Sequence, residues 1–215
     1  MATSNVSNFL QVIGQGIKPN MFMVDINFPS GLTSPNADLG EGTSSTKVEL
    51  VNLLCKSAAL PGSNLGVIEV PFRGRTVKIA GDRTFDTWTA TFFADKNMEL
   101  RALFEKWAND LNRHADNTAP RFLPNGETNG YMASLYVTQL EKDGTPNGSA
   151  IRTYKLHHCF PTNVSQIDLA YDSNDQIAEF TVEWQYSYFT ADVGAGGETS
   201  GGAAVKSTAA DSTVV

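Results

Sequence analysis

The chain has 215 residues, 41% of them hydrophobic, and a formal net charge of −7. That content supports one well-packed domain rather than a disordered chain, and the acidic balance opposes tight nucleic-acid binding, which needs clustered Lys and Arg against phosphates. Its two cysteines, Cys55 and Cys159, are too few for a disulfide framework, and no leader-like or membrane-length apolar run is present, so the chain reads as a cytoplasmic product with reduced thiols and no membrane anchoring.

Residues 1–17 read as an N-terminal helical arm: Val6, Phe9, Leu10 and Ile13 share a helical face, and Gly14 and Gly16 stop the pattern. A helix this short is marginal alone, so it should pack on a neighbour within the subunit or across an interface. After the Lys18-Pro19-Asn20 turn, Met21–Phe28 alternates as a first strand. Ser30–Thr46, rich in Gly, Ser, Pro and Asn, reads as a loop insertion that is functional or mobile. Lys47–Lys56 reads as a second strand and Val67–Pro71 as a short extended piece. Arg73–Lys78 is the one dense basic stretch, a candidate contact for phosphate or an acidic partner, or simply a solvated strand face.

Ile79–Phe93 reads as one strand running straight into a helix from about Asp95 to Arg113. Asp86, Trp88, Ala90 and Phe92 point one way, and Thr87, Thr89 and Thr91 the other, as in a half-buried strand. In the helix, Leu100, Leu103, Phe104, Trp107 and Leu111 form one stripe, with Asp95 as candidate N-cap. Ala115–Gly130 reads as a second loop, and Tyr131–Leu140 with Ile151–Phe160 as a hairpin. Val164–Tyr171 continues extended and Asp172–Asp175 turns. The last strand alternates most cleanly: Ala178, Phe180, Val182, Trp184, Tyr186 and Tyr188 against Glu179, Thr181, Glu183, Gln185 and Ser187. From about Val193 the chain is Gly, Ala, Ser and Thr, too poor in apolar surface to offset ordering in an isolated subunit. The whole is mainly β with one flanking α-helix.

No catalytic motif is present: there is no nucleophile elbow, P-loop, paired CxxC, HExxH or dinucleotide fingerprint. His157 and Cys159 would share a face of a regular strand, but two ligands do not make a zinc site. A Cys-His nucleophile lacks a third group to orient the histidine. The chain therefore reads as non-enzymatic, with no metal or cofactor.

Four segments in order resemble the tail tube protein of contractile-tailed bacteriophages: Lys18–Ile26, Cys55–Pro61, Ile79–Thr89, and Pro161–Val164 followed by Tyr171–Asn174. The resemblance spans about Asn5 to Phe189 and divides the chain into the arm at 1–17, a tube domain at 18–190 and an extension at 191–215. It implies two packed antiparallel sheets, a β-sandwich or barrel-like fold, assembling as hexameric rings. Those rings would stack into a hollow conduit for DNA ejection inside a contractile sheath. The partners it implies are further copies of the chain, the sheath, baseplate and tail terminator proteins, and in the lumen the tape measure protein and double-stranded DNA, with no sequence-specific binding. Its place would be the virion tail, assembled in the host cytoplasm. The insertion at 30–46 and the tail beyond Phe189 depart from that pattern.

The residues themselves suggest where such a bore would lie. Thr87, Thr89, Thr91, Glu179, Thr181, Glu183 and Gln185 form hydrophilic strand faces without Lys or Arg, as suits passage of a polyanion; they are the candidate lumen-facing residues. Phe9, Leu10, Arg73, Arg75 and Lys78 are candidate contacts between subunits or to the sheath. Competing readings are a tube initiator at the baseplate, the tube of a phage-derived injection device and, from another class, a small β-sandwich binding module.

Overall fold

The computed structural model describes residues 6–14, 16–29, 51–118, 130–142, 149–193 and 197–198. The expected loop at 30–46 and nearly all of the C-terminal extension lie outside the described residues. The elements are α1 (Val6–Ile13), β1 (Phe22–Asn27), β2 (Cys55–Ala58), β3 (Asn64–Phe72), β4 (Arg75–Thr84), β5 (Trp88–Phe93), α2 (Glu99–Leu111), β6 (Ala133–Glu141), β7 (Ser149–Val164), β8 (Glu179–Gln185), β9 (Tyr188–Val193) and β10 (Gly197–Glu198).

Period-two alternation builds an antiparallel sheet in the order β1-β6-β7-β8-β5-β2, with β9 also on β7 and β10 on β9. The long strand β7 divides it. Residues up to Cys159 pair with β6 and those up to His157 with β9, whereas Phe160–Val164 pair with β8. His158 sits at the change-over with φ 57, a left-handed conformation that breaks the pleat. Opposite it the partner edge breaks too, between β8 and β9, and Ser187 N–H donates to His157 O at 3.0 Å. The sheet thus turns a corner and becomes the two expected antiparallel layers.

The core lies along the inner sides of both layers and under α2. Trp88, Ala90 and Phe92 of β5 are buried, as are Phe180, Val182 and Trp184 of β8, Val24 and Ile26 of β1, and Leu135 and Val137 of β6. From α2 come Leu100, Leu103, Phe104 and Trp107, with Leu111 half-buried at the edge. Phe104 is the hub: its ring lies 5.5 Å from Phe92, 5.6 Å from Trp184 and 6.0 Å from Phe28, centroid to centroid. The other two indoles find carbonyls, Trp107 Nε1 donating to Tyr131 O at 3.0 Å and Trp88 Nε1 to Ala59 O at 2.6 Å.

Several elements differ from the sequence reading, among them the extended run expected over Val164–Tyr171, which ends at Val164 with no strand over 165–171. The strand expected over Ile79–Phe93 is two, because β4 ends at Thr84 and leaves the sheet to pair with β3. The short piece expected at Val67–Pro71 is the other arm of that hairpin, whose two-residue turn places Arg73 at φ 46 and Gly74 at φ 82, as a twisted hairpin requires. In place of the end of a strand at 47–56, residues 51–54 are helical and strand begins only at Cys55. The last strand breaks after Gln185, and β9 then runs past residue 190, with Gly197 and Glu198 folding back on it. The α2 helix begins at Glu99, with Asp95 capping from outside: its Oδ2 accepts from the backbone N–H of Glu99 at 3.1 Å and of Asn97 at 3.2 Å.

Truncating the hub, Phe104→Ala, is expected to cost about 3–5 kcal/mol through lost burial and a residual cavity. Leu111→Ala, at the half-buried end of the same stripe, should cost clearly less; urea unfolding of the two variants checks the ranking.

Candidate functional site

The two polar strand faces read separately from the sequence are one surface. β5 and β8 pair antiparallel with Thr89 opposite Glu183 and Thr91 opposite Thr181, so their outward residues alternate with the buried Trp, Phe and Val of the same ladder. Cross-strand hydrogen bonds tie this face together: Thr91 Oγ1 and Thr181 Oγ1 are 3.2 Å apart, and Gln185 Nε2 donates to Thr87 Oγ1 at 3.2 Å. Such pairs are the unit of sheet stabilisation, and here they also fix where each polar group points. Thr162 of β7 extends the surface, its hydroxyl donating to Glu183 O at 3.2 Å.

The strand faces contain no cation, but the structure brings one to their margin. Lys56 Nζ of β2 lies 2.5 Å from Glu179 Oε1 and 2.6 Å from Oε2. This pair neutralises Glu179 and leaves Glu183 as the central charge of the surface. Sequence reasoning missed Lys56 because its partner is 123 residues away and no local pattern aligns β2 with β8.

The candidate contact residues lie elsewhere. No residue of α1 is buried: Phe9 is 63% and Leu10 58% exposed, so their stripe is left largely uncovered among the described residues. The β3–β4 hairpin carries Arg73 at its tip and Arg75 and Lys78 along β4. Lys78 Nζ is 3.6 Å from Glu69 Oε1 on one face. The opposite face is apolar, with Ile68 opposite Ile79, Val70 opposite Val77, and Phe72 60% exposed. That stripe was visible as alternation in Val67–Phe72 but is obscured by reading those residues as a short connector. Gly66 and Gly81 face each other so closely that a Cβ on Gly66 would come within 3.1 Å of Asp82 O, and this close approach accompanies the register shift between Leu65 and Val67.

His157 and Cys159 do not come together as a site. The kink at His158 turns Cys159 into the core, while His157 stacks on Tyr188 at 4.5 Å with Nε2 3.2 Å from Thr190 Oγ1. Among the described residues there is no group of three or more His, Cys, Asp or Glu arranged to hold a metal. Burial pushes the Cys55 thiol up to about 12, which suppresses the nucleophilic thiolate. No described helix is long and apolar enough to cross a membrane.

Residues 17–192 match the family model of phage tail tube proteins. The chain belongs to the phage tail tube protein family. It is a structural component of the virion tail, as the resemblance implied. Tail tube protein gp19 of Enterobacteria phage T4 is 28% identical over 176 residues, 82% of this chain and 92% of that protein. The tail tube protein of Serratia phage KSP90 is 25% identical over 193 residues, 89% of this chain and 98% of that one. The tube fold also recurs in solved structures: the chain superposes with a TM-score of 0.54 and 14% identity on a chain of the PVC sheath-tube complex of an extracellular contractile injection system, covering 89% of this tail tube protein and 99% of that chain. Against a chain of the anti-feeding prophage baseplate the TM-score is 0.52 at 12% identity, covering 80% and 92%.

Native Cys55 should alkylate about a thousandfold more slowly than an unperturbed thiol near neutral pH, since its thiolate fraction falls by that factor. Iodoacetamide labelling followed by mass spectrometry measures this, with full labelling expected on unfolding.

Proposed function

We propose that this tail tube protein forms hexameric rings stacked into a hollow conduit for DNA ejection inside a contractile sheath, and that the outward face of β5 and β8 lines the bore. The observation that carries the lumen assignment is the merging of all seven candidate residues into a single hydrogen-bonded surface whose margin lysine is tied to Glu179. A bore of hydroxyls, amides and unpaired carboxylate repels phosphate weakly and holds it nowhere, which suits rapid passage of DNA and, before it, of a tape measure protein. No catalytic step is assigned to it. The matched injection-system structures are a sheath-tube complex, a baseplate solved with six-fold symmetrisation and a tube-terminating cap; they supply the model for hexameric order and for sheath, baseplate and terminator partners here.

Assembly follows from surfaces the subunit leaves unsatisfied. Among the described residues the sheet ends in two short outer strands, β1 and β2, each with one edge left open, which suits pairing across subunits. Phe9 and Leu10 of α1, and the hairpin bearing Arg73, Arg75 and Lys78, are assigned to contacts between copies or with the sheath. The baseplate match also supports a second reading as a tube initiator, and copy number per virion separates the two: many rings for the main tube, one or two for an initiator.

Three substitutions on the β5–β8 face, Thr89→Lys, Thr181→Lys and Glu183→Lys together, should leave tubes intact and slow DNA ejection from purified virions at low salt, with the delay shrinking as salt rises. Ejection at the native rate at all salt concentrations would remove this face from the bore.

A further inference from the structure

Residues 165–178, between β7 and β8, carry neither helix nor strand, a length at which a connection inside a compact domain usually has a use. They wrap an open cleft of about 1110 Å³ lined by Phe93, Ile167, Leu169, Tyr171 and Ile177. Only Ile167 is anchored on the core; Leu169 is 87% and Tyr171 fully exposed, so the cleft offers apolar contact to something outside the subunit. Asp168, Asp172 and Asp175 lie in this stretch with no Lys or Arg, and the cations at its base are already engaged: Lys56 pairs with Glu179 beside the Phe93 ring, and Arg101 Nη1 donates to Ser165 O at 2.8 Å.

The β3–β4 hairpin has the complementary properties. Its apolar face of Ile68, Val70, Phe72, Val77 and Ile79 is exposed among the described residues, and Arg73 and Arg75 flank it at the tip. The hairpin does not occupy the cleft of its own subunit: no hairpin residue lines it. The hairpin roots beside Trp88, where Asn64 Nδ2 donates to Asp86 Oδ2 at 2.6 Å, whereas the cleft begins at Phe93 and Glu179, the other end of the same ladder. Those ends are separated by about 17 Å along β5.

We propose that the β3–β4 hairpin of one copy docks in the 165–178 cleft of the next, Phe72 entering the apolar floor and Arg73 and Arg75 meeting Asp168 and Asp175. Because the two halves of the contact sit at opposite ends of the subunit, it is head-to-tail and propagates instead of closing a two-fold dimer, as a ring or a stack of rings demands. The inference rests on the tail tube reading and names the surfaces through which it operates. Charge pairing at the rim sets register and encounter rate, while the buried apolar face supplies the affinity.

Three full-length variants test it by pelleting and negative-stain microscopy: Arg73→Glu with Arg75→Glu, Asp168→Lys with Asp175→Lys, and all four together. Each charge reversal alone should cut the assembled fraction by about tenfold, and the combination should restore it to within about threefold of native. A Phe72→Cys, Leu169→Cys chain gives the same test without altering charge: oxidised tubes should yield a ladder of cross-linked multimers on denaturing gels, and the single-cysteine variants should not. Native tubes whose cysteine pair stays monomeric, or a cleft reversal that assembles like the native chain, would overturn the docking while leaving the tail tube reading intact. A native chain that forms neither rings nor tubes would instead overturn the reading beneath it.

Discussion

The β5–β8 ladder is the constraint from which the rest of the molecule follows. Each of its rungs is two-sided: where Trp88 meets Trp184 and Phe92 meets Phe180 on the inner face, Thr89 meets Glu183 and Thr91 meets Thr181 on the outer. A slip of β8 by one residue would put Phe180 and Trp184 into water and Glu183 into the core, so the apolar packing against Phe104 also fixes the pattern of the wet face. One interaction therefore specifies both the stability of the subunit and the chemistry it presents to whatever lies beyond the sheet.

What the ladder does not do is complete the subunit. The aromatic core is closed, yet among the described residues α1 and the β3–β4 hairpin carry largely exposed apolar stripes, and the sheet ends in two short strands, β1 and β2, each paired on one side only. In a monomer these are aggregation hazards. In the assembly proposed above they would serve polymerisation: surfaces at different ends of the subunit, mutually complementary instead of self-complementary, direct growth along an assembly rather than into amorphous clusters. The acidic net charge serves the same end, keeping free subunits apart until the specific contacts form.

Legibility in the sequence tracked the locality of the physics. β5, β8 and the α2 stripe could be read because their alternation depends only on which side of one element faces the core. Their partnership could not: Thr91 and Thr181 are 90 residues apart, and nothing in either segment names the other. Lys56 was invisible for the same reason. The corner in β7 escaped because His158 stands inside an otherwise continuous strand pattern, where even a residue type enriched in the left-handed region gives no local sign of a break; tertiary pairing with two different neighbours holds it there. The hairpin was misassigned because continuous alternation from Ile79 to Phe93 hides the bend at Phe85–Thr87, where the chain passes from a free hairpin into the sheet. The resemblance to tail tube proteins supplied the function ahead of the fold, and the periodicity nominated the polar faces for the bore without showing that they form one surface.

The most direct test of the central claim is a cryo-EM reconstruction of tubes assembled from the full-length chain, resolved well enough to place side chains. The account predicts a hollow hexameric tube with Thr89, Thr181 and Glu183 bordering the channel and Trp88 and Trp184 behind them. A reconstruction in which that face lies on the outer wall, or is buried between subunits, would contradict it.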